Sequence, residues 1–567
     1  MLARLAFAGM AALGGAAWLH RALTPGGHAA APEGEPDNSG SERAAGPRGM
    51  NGRCAWLRAI VLGWCGAWAA IWLAIALLRL RYPFELEWAG GSMRDHCERV
   101  LAGLPLYTAP GPDWFSFEYP PLYFWTSALV MRVLHDGSFM SMRLVSIVCT
   151  LGCAWLLAAW VRAVAPGPAG RTWGFIAAGV FLATYRFTGA WYDIERLDML
   201  FLFLSLLGGY WLLRATASAT RPAGARAGGA VYLRLALAAI AFWLAFLTKQ
   251  QAALFLIGGA AALALCRQWR GMLVFGGTGS ALCLGSLWIL DWSTRGWFSY
   301  YCFRVPAANG IRMNLAAQFF VTDLPLFAPF LALIAVLVLG AWRRAASTPR
   351  VPDGLITDTK ADAPTGRLDR APITATWCLM GLLGSLLSRA HWGGDQNVLM
   401  AGFIGLTLLA CILAAGAETR RQSAAVPLYA VALAQMLTLV YRPDAQLPTA
   451  SGRAAAVRYA AAVRAAEREG EVLCLDHGGV SAVRHFHLMG MIDVIGTEKR
   501  MPARFVDALR SHRYAAIFSD AKPEAGGAFA ELSRDYRSVT CLHIGSPWVA
   551  TGFPTPAPDR MVWVLKP

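Results

Sequence analysis

The chain has 567 residues, of which 56% are hydrophobic and 15% are charged, and it contains 23 tryptophans. A soluble protein of this length needs far more polar surface, so the composition excludes an ordinary soluble enzyme and indicates an integral membrane protein. The formal net charge is +16. The arginines nevertheless lie in short loops between apolar runs and form no basic stripe with interleaved aromatic residues, so the pattern does not indicate a nucleic-acid partner.

The first 55 residues combine an apolar start with a polar linker. Met1–Leu23 is typical of a signal-like or membrane-spanning segment, and residues 24–49 are rich in Pro, Gly and Ser, as disordered linkers are. Met50 is a plausible start directly before the first long apolar run. We therefore expect residues 1–55 to be either an extra N-terminal apolar segment with its linker or a mis-assigned start.

Residues 56–441 predict an α-helical polytopic membrane domain, because apolar runs recur there at about the 20 residues that cross a bilayer. We predict about eleven core spans, to which an N-terminal helix would add one more. These spans are Trp56–Leu80, Met142–Val161, Trp173–Ala190, Met199–Leu213, Val231–Leu247, Ala252–Leu265, Met272–Leu290, Leu324–Ala341, Ile373–Leu387, Val398–Ala415 and Val426–Tyr441.

The arginines orient these spans, since basic residues prefer the cytoplasmic loops. Arg53 and Arg58 precede or begin the first span, so residues 81–120 form the first external loop. If residues 121–135 also crossed the membrane, most later arginine pairs would lie outside, so we predict an interfacial helix there. The same rule makes residues 343–371 a cytoplasmic disordered loop.

The C-terminal residues 442–567 predict a small external α/β domain. Three short apolar runs read as buried strands, and helical segments lie between them. The strands are Glu471–Asp476, Tyr514–Asp520 and Met561–Lys566. Cys474 and Cys541 both fall in this domain, where a disulfide and two unpaired thiols are equally compatible with the sequence.

Two carboxylates follow the first span directly. Glu85 and Glu87 lie in the stretch "YPFELEW", among the aromatic rings of Tyr82, Phe84 and Trp88. A carboxylate held against rings beside the bilayer has a raised pKa and can act as a general base. The alternative is an ordinary solvated loop.

The second external turn, "WYDIERLD", brings further acidic candidates. Asp193 follows an aromatic pair, and Asp198 begins the next span, where capping of that helix is the alternative to a functional role. Lys249 lies in an external turn, against the inside preference of basic residues. It therefore needs an anionic partner, which is either a structural carboxylate or a phosphate.

Other external cations extend this pattern. Arg304 and Arg389 are candidates, with Lys249, for a clamp that holds a phosphate or diphosphate, and contact with lipid phosphates is the alternative. The loop "HWGGDQN" adds His391 as a candidate substrate contact. One His with an Asp four residues later is weak evidence for a metal site, so we predict none.

The order of these features resembles the polytopic lipid-linked-sugar glycosyltransferases of the GT-C fold, of the protein O-mannosyltransferase and aminoarabinose-transferase type. The resemblance extends over Trp56–Tyr441. It is carried by the acidic loop that ends in "YPPLYFW", by "RLVSI" at Arg143–Ile147, by the acidic second turn, by the Lys249 turn and by the terminal external domain.

The resemblance implies a sugar donor on a polyprenyl phosphate and transfer to a lipid, glycan or protein acceptor. Transfer would occur at the outer face of a bacterial cytoplasmic membrane. It implies Glu87 as the base, with Glu85 as the second choice, and Asp193 or Asp198 as a second acidic group.

Further positions follow from the same resemblance. Pro120 and Pro121 match the Pro-Pro motif of the family. Tyr119 stands where members often have lysine, which indicates a different donor or acceptor contact. Lys249 would meet the donor phosphate.

Two alternatives remain at this stage. A secondary transporter or lipid flippase would require ionisable residues in mid-membrane and paired broken helices, and the sequence has few of the former. A catalytically inactive membrane scaffold of the same fold is the other. The sequence indicates no certain cofactor and leaves a divalent cation open.

Overall fold

The computed structural model describes residues 52–87, 89–219, 226–347, 370–391, 393–475, 488–519, 534–543 and 559–565. The predicted N-terminal segment lies outside the described residues up to residue 51. Residues 348–369 of the predicted cytoplasmic loop 343–371 lie outside them as well.

Helices make up most of the described chain. Those of eight or more residues are α1 (Gly52–Leu80), α2 (Gly90–Leu101), α3 (Leu122–Leu134), α4 (Phe139–Val164), α5 (Pro168–Ala183), α6 (Asp198–Ala219), α7 (Arg226–Phe246), α8 (Ala252–Leu265), α9 (Trp269–Ser293), α10 (Ala328–Ser347), α11 (Ala371–Ala390), α12 (Met400–Arg420), α13 (Ala425–Thr438), α14 (Ala450–Ala466), α15 (Leu488–Glu498) and α16 (Ala503–Arg510).

Eight of the described helices are long and apolar enough to cross a membrane, which confirms the prediction of a helical polytopic membrane protein. They are α1, α4, α6, α7, α9, α10, α11 and α12. The predicted number of about eleven is higher, because α5, α8 and α13 have only 16, 14 and 14 residues. At 1.5 Å per residue they extend about 21–24 Å, less than the roughly 30 Å of hydrocarbon. These three helices still lie on predicted apolar spans, and α8 has the predicted bounds.

The segment predicted as an interfacial helix forms α3, whose 13 residues extend about 20 Å. It ends at His135 in the left-handed conformation, with φ 52°, and Ser138 then caps the start of α4 through Met140 N. Within the loop 81–120 the structure adds α2, a helix that the sequence analysis did not predict.

Small residues let the membrane helices approach closely. A Cβ placed on Gly381 of α11 would lie 2.7 Å from the carbonyl oxygen of Ala401 on α12. A side chain cannot fit there, so the backbones of α11 and α12 pack directly against each other. This contact fixes the turn between the two helices, which carries part of the site described below.

The C-terminal region contains a four-stranded sheet in the order β1-β2-β4-β3, where β1 is Val472–Cys474, β2 Ala516–Ser519, β3 Tyr536–His543 and β4 Asp559–Leu565. Strands β1 and β2 are parallel, and the other pairs are antiparallel. Three of the strands fall on the predicted segments, and β3 was not predicted.

The sheet order also bears on the question of the disulfide. Cys474 lies on edge strand β1 and Cys541 on the opposite edge strand β3, with two strands between them. At about 4.8 Å per strand the two backbones are roughly 14 Å apart, and a disulfide requires Cα atoms within about 7 Å. The backbone positions of the two strands therefore do not favour a Cys474–Cys541 disulfide.

Candidate functional site

The polar turns that the sequence analysis singled out lie at one end of the helical bundle. These turns follow α1, α5, α7 and α11, and the segment between α9 and α10 joins them. Helix α15 of the C-terminal region packs against the same segment: Asn309 donates to Asp493 on α15 across 3.4 Å. Six parts of the chain thus build one site.

The charged residues of the second turn, residues 191–198, fall into two groups: some face the interior of the bundle, and others belong to the pairs at the cavity. Asp193 and Glu195 point toward the bundle, where both are fully buried. Asp193 forms a salt bridge of 3.2 Å with Arg79 Nε and accepts a hydrogen bond of 2.9 Å from Tyr185. Burial raises the pKa of Asp193, while Arg79 and the Tyr185 hydroxyl oppose that rise. This carboxylate is part of the internal structure of the turn.

Glu195 ties the second turn to the first external loop. Its carboxylate accepts from Arg143 Nε across 2.6 Å and from the backbone of Leu86 across 3.0 Å. Arg143 also donates to the carbonyl oxygens of Tyr82 and Phe84 across 2.5 and 2.6 Å. Because one buried guanidinium holds both loops, the position of Glu87 depends on Arg143 and Glu195.

Glu87 and Arg196 form the first pair that faces the site. Both residues are buried, and Glu87 Oε2 lies 3.7 Å from Arg196 Nη1. The backbone N–H of Ala89 donates to the same oxygen across 3.1 Å. Burial raises the pKa of Glu87 to about 7, against the opposing effects of Arg196 and Ala89. A carboxyl group with this pKa can gain or release a proton near neutral pH.

Lys249 and Asp198 form the second pair. Lys249 Nζ lies 2.8 Å from Asp198 Oδ1, which also accepts from Asn397 Nδ2 across 3.1 Å. Burial lowers the pKa of Lys249, but the Asp198 carboxylate outweighs this effect and raises it overall. The anionic partner that Lys249 requires is therefore a structural carboxylate.

The two pairs border a cavity of about 470 Å³. Arg196 and Lys249 belong to its wall, while Glu87 and Asp198 lie behind them. Arg196 packs over the Trp191 ring, 4.5 Å from the centroid, and its Nε and Nη1 have no hydrogen-bond partner within the described ranges. The wall thus offers two cations, one of them with unused donors.

A pair of carboxyl groups forms another part of the wall. Glu118, from the first external loop, and Asp493, from α15, both line the cavity and are hydrogen-bonded to each other. Burial raises the pKa of both groups, and their mutual repulsion raises that of Glu118 further. These two carboxyl groups lie at the contact between the membrane domain and the C-terminal region.

The turn after α11 supplies the remaining polar wall. His391 lines the cavity, and its Nδ1 lies 3.3 Å from the carbonyl oxygen of Asn309. Asp395 lines the cavity as well, and burial raises its pKa. Among the residues that the structure describes, no group of three or more His, Cys, Asp or Glu side chains is arranged to hold a metal ion.

The remaining predicted residues take other positions. Tyr119 lines the cavity, whereas Pro120 and Pro121 are buried at the start of α3 and do not. Glu85 is buried beside Glu87 and also lies outside the wall. Both acids are 2% exposed or less, so the alternative of a solvated loop does not describe this stretch.

Neither arginine of the predicted clamp lines the cavity. The Arg304 side chain is 67% exposed and lies 3.7 Å from Glu498 of α15. Arg389 forms a salt bridge of 2.9 Å with Asp323 and donates to the Gly394 carbonyl across 2.7 Å. Through these two contacts Arg389 stabilises the turn after α11.

Sequence reasoning missed Arg196, Glu118 and Asp493 as members of the wall. Arg196 had a signal, because it is a cation beside Trp191 in a turn that was predicted to be external, as Lys249 is in its own turn. Glu118 and Asp493 had none, since they come together only through the docking of α15.

No family model matches the sequence, and no curated protein matches it either. Solved structures do match the fold. ArnT from Cupriavidus metallidurans in the apo state matches over 88% of this chain and 97% of its own, at 14% identity and a TM-score of 0.53. The same protein bound to undecaprenyl phosphate matches over 88% and 98%, at 13% identity and a TM-score of 0.51.

The chain has the GT-C fold of ArnT. The prediction of a GT-C-like multi-pass membrane protein is thereby confirmed. In this GT-C fold the cavity lies where the turns of the bundle meet the C-terminal region, and its cations and carboxylates come from segments far apart in the chain.

Proposed function

We propose that the protein is a membrane glycosyltransferase that takes a sugar from a polyprenyl phosphate and transfers it to a lipid, glycan or protein acceptor. One observation carries this proposal. A cavity at one end of a GT-C bundle has Arg196 and Lys249 in its wall, with Glu87 and Asp198 directly behind them.

The two cations suit a phosphate leaving group. When the bond between the sugar and the phosphate breaks, the electron pair passes to a phosphate oxygen, and that charge needs fixed donors. Arg196 brings donors that are unused in the described structure, and Lys249 adds a point charge. Undecaprenyl phosphate, the ligand of the similar ArnT structure, has such a phosphate.

Glu87 is the proposed base. As the acceptor oxygen or nitrogen attacks the sugar carbon, its proton passes to a carboxylate, and a pKa of about 7 suits that exchange. Glu87 lies behind Arg196, which connects the base and the phosphate site electrostatically. Asp193, paired with Arg79, acts as a positioning residue of the second turn.

The charge distribution supports an active face on the outer side of the cytoplasmic membrane. The turns at the opposite end of the bundle carry the basic residues that the positive-inside rule assigns to the cytoplasm. These include Arg162, Arg171, Arg267, Arg270, Arg343, Arg344, Arg420 and Arg421.

The test begins with binding. The purified full-length protein in nanodiscs is titrated with undecaprenyl phosphate and, as the matched probe, with undecaprenol, which lacks the phosphate. We expect saturable binding of the phosphate form only, followed by transfer of labelled sugar from at least one member of a panel of polyprenyl-phosphate sugars. Equal affinity for the two lipids would overturn the proposal.

A further inference from the structure

The turn between α11 and α12 is built to hold one carboxylate in a fixed place. Gly393 has φ +83°, a conformation that favours glycine, and a Cβ on Gly394 would collide with the carbonyl oxygen of Ser388. Arg389 donates to the Gly394 carbonyl across 2.7 Å. The backbone is thus restrained directly before Asp395.

The Asp395 carboxylate uses only part of its capacity to accept hydrogen bonds. The residue is 9% exposed and lines the cavity. The backbone N–H of Gln396 donates to its carboxylate, whereas Oδ2 is buried with no hydrogen-bond partner in the part of the chain that the structure describes. An unsatisfied buried carboxylate oxygen is costly, so a restrained turn that presents one indicates a ligand group.

The position of Asp395 relates it to the proposed phosphate site. Two residues later in the same turn, Asn397 donates to Asp198 Oδ1, the atom that holds Lys249. Arg196, whose Nε and Nη1 are also unsatisfied within the described residues, is close enough to act electrostatically on Asp395. The two residues that carry these unsatisfied atoms, Arg196 and Asp395, line the same cavity.

The position of Asp395 beside the proposed phosphate site limits the ligand groups that its Oδ2 can bind. A carboxylate repels a phosphate, so Oδ2 does not bind the leaving group itself. The chemical group next to the phosphate in a lipid-linked donor is the sugar ring, which has hydroxyl groups. A carboxylate oxygen is a strong hydrogen-bond acceptor for a hydroxyl group. A hydroxyl would give Oδ2 the hydrogen bond that it lacks without adding charge.

We propose that Asp395 Oδ2 accepts a hydrogen bond from a hydroxyl of the donor sugar and so selects the sugar that is transferred. This proposal rests on the proposed function, because it takes the phosphate site as given. Asp395 is a specificity-determining residue in this scheme, and Arg196 with Lys249 supplies the affinity for the phosphate.

The test compares the affinity for bare undecaprenyl phosphate with that for undecaprenyl phosphate linked to glucose, galactose, mannose or arabinose. The ratio of the two affinities is the gain due to the sugar. We expect the wild type to bind at least one of the sugar-linked lipids about 10- to 100-fold more tightly than the bare lipid. Asp395→Asn should lose most of that gain and bind the bare lipid at least as tightly as the wild type does.

A deoxy series then identifies the hydroxyl. Removing the contacted hydroxyl from the preferred lipid should weaken wild-type binding by about the same factor, with no further loss in Asp395→Asn. Asp136→Asn is the matched control, because Asp136 accepts from Ser138 and Ser141 in the turn before α4 and does not line the cavity. It should bind as the wild type does.

Three results would overturn the inference. They are a wild type with no gain from any sugar, a gain that Asp395→Asn retains, and an equal loss of both affinities in Asp395→Asn. Failure of the wild type to bind bare undecaprenyl phosphate would instead defeat the proposed function, and the inference with it.

Discussion

Lys249 Nζ lies 2.8 Å from Asp198 Oδ1, although one residue follows α7 and the other begins α6. Asn397 donates to the same carboxylate oxygen, so three turns of the bundle meet at a single atom. Lys249, the proposed phosphate-binding cation, is therefore positioned by a carboxylate that lies outside the cavity wall, while Lys249 itself lines the cavity.

Removing this cation tests its role. Lys249→Gln alone would leave Asp198 buried without a counter-charge, so the informative variant is Lys249→Gln combined with Asp198→Asn, which keeps the site neutral. We expect its affinity for undecaprenyl phosphate to fall about 10- to 100-fold, because a charge-assisted contact is lost. Titration in nanodiscs measures the change.

Arg304→Ala is the control for that experiment. The Arg304 side chain is 67% exposed and lies outside the cavity wall, so its removal should leave the affinity within twofold. If Arg304→Ala weakened binding as strongly as the double variant, the phosphate site would have to include Arg304.

Glu87 should give the transfer reaction a characteristic pH dependence. A base must be deprotonated to act, so transfer should rise as the pH increases through about 7 and then level off. Glu87→Gln should remove this rise and lower kcat by about 100-fold or more. Its KM for the donor should not increase, because Arg196 loses its anionic neighbour.

The pH–rate profile of transfer at saturating donor gives the measurement. A Glu87→Gln variant that kept the rise through pH 7 would assign the titrating group elsewhere, and the Glu118–Asp493 pair would then be the next candidate.

Asp193 should matter for stability more than for chemistry. Asp193→Ala leaves Arg79 as an uncompensated buried charge, which costs about 3–5 kcal/mol. Glu98→Ala removes a partly exposed pair with Arg94 on α2 and should cost at most about 0.5 kcal/mol. Thermal unfolding in detergent compares the two variants. An Asp193→Ala protein with wild-type stability and lost transfer would make Asp193 a direct participant.

The carboxyl pair Glu118–Asp493 should make the docking of α15 depend on pH. Both pKa values are raised in the folded protein, so the folded form binds more protons than the undocked form. Docking is therefore strongest at low pH and weakens as the pH rises through the raised pKa values. The protection of residues 488–498 against hydrogen exchange, corrected for the intrinsic pH dependence of amide exchange, should be lower at pH 8 than at pH 5.

Asp493→Asn tests the origin of that difference. An amide can keep a hydrogen bond to Glu118 without sharing a proton, so the pH dependence should shrink markedly. Glu498→Gln, which changes a carboxylate on the same helix outside the cavity wall, should retain it. Equal pH dependence in Asp493→Asn and the wild type would show that other groups control docking.

The turn after α11 offers a backbone test. Gly394→Ala brings a Cβ against the Ser388 carbonyl, and the turn must shift. A displacement of about 1 Å in a substrate-positioning turn can slow transfer up to about 100-fold. Gly310→Ala lies in a neighbouring loop with open space around its Cβ and should be nearly neutral. Single-turnover transfer by the two variants gives the comparison.

The sequence was sufficient for the helical membrane class and for the prediction that the polar turns meet at one end of the bundle. It also predicted that Lys249 must have an anionic partner, because an external lysine breaks the inside preference. The sequence alone could not distinguish the role of Asp193 from that of Asp198. Their partners Arg79 and Lys249 come from other helices, and neighbouring residues of an irregular turn face different ways.

Longer-range features were less predictable still. Arg304 and Arg389 carry the same charge and lie in segments at the same end of the bundle, yet one is exposed beside Glu498 and the other supports a turn through Asp323. Glu118 and Asp493 meet only because α15 docks on the bundle. No local pattern of hydrophobic or charged residues encodes such a meeting.

The contribution of α15 to the cavity wall has a consequence for truncated chains. The eight candidate membrane helices all precede α15 in the chain. A chain that lacked α15 would therefore have its cations in place but a cavity open on one side. The wall of the cavity is complete only once α15 has packed onto the bundle.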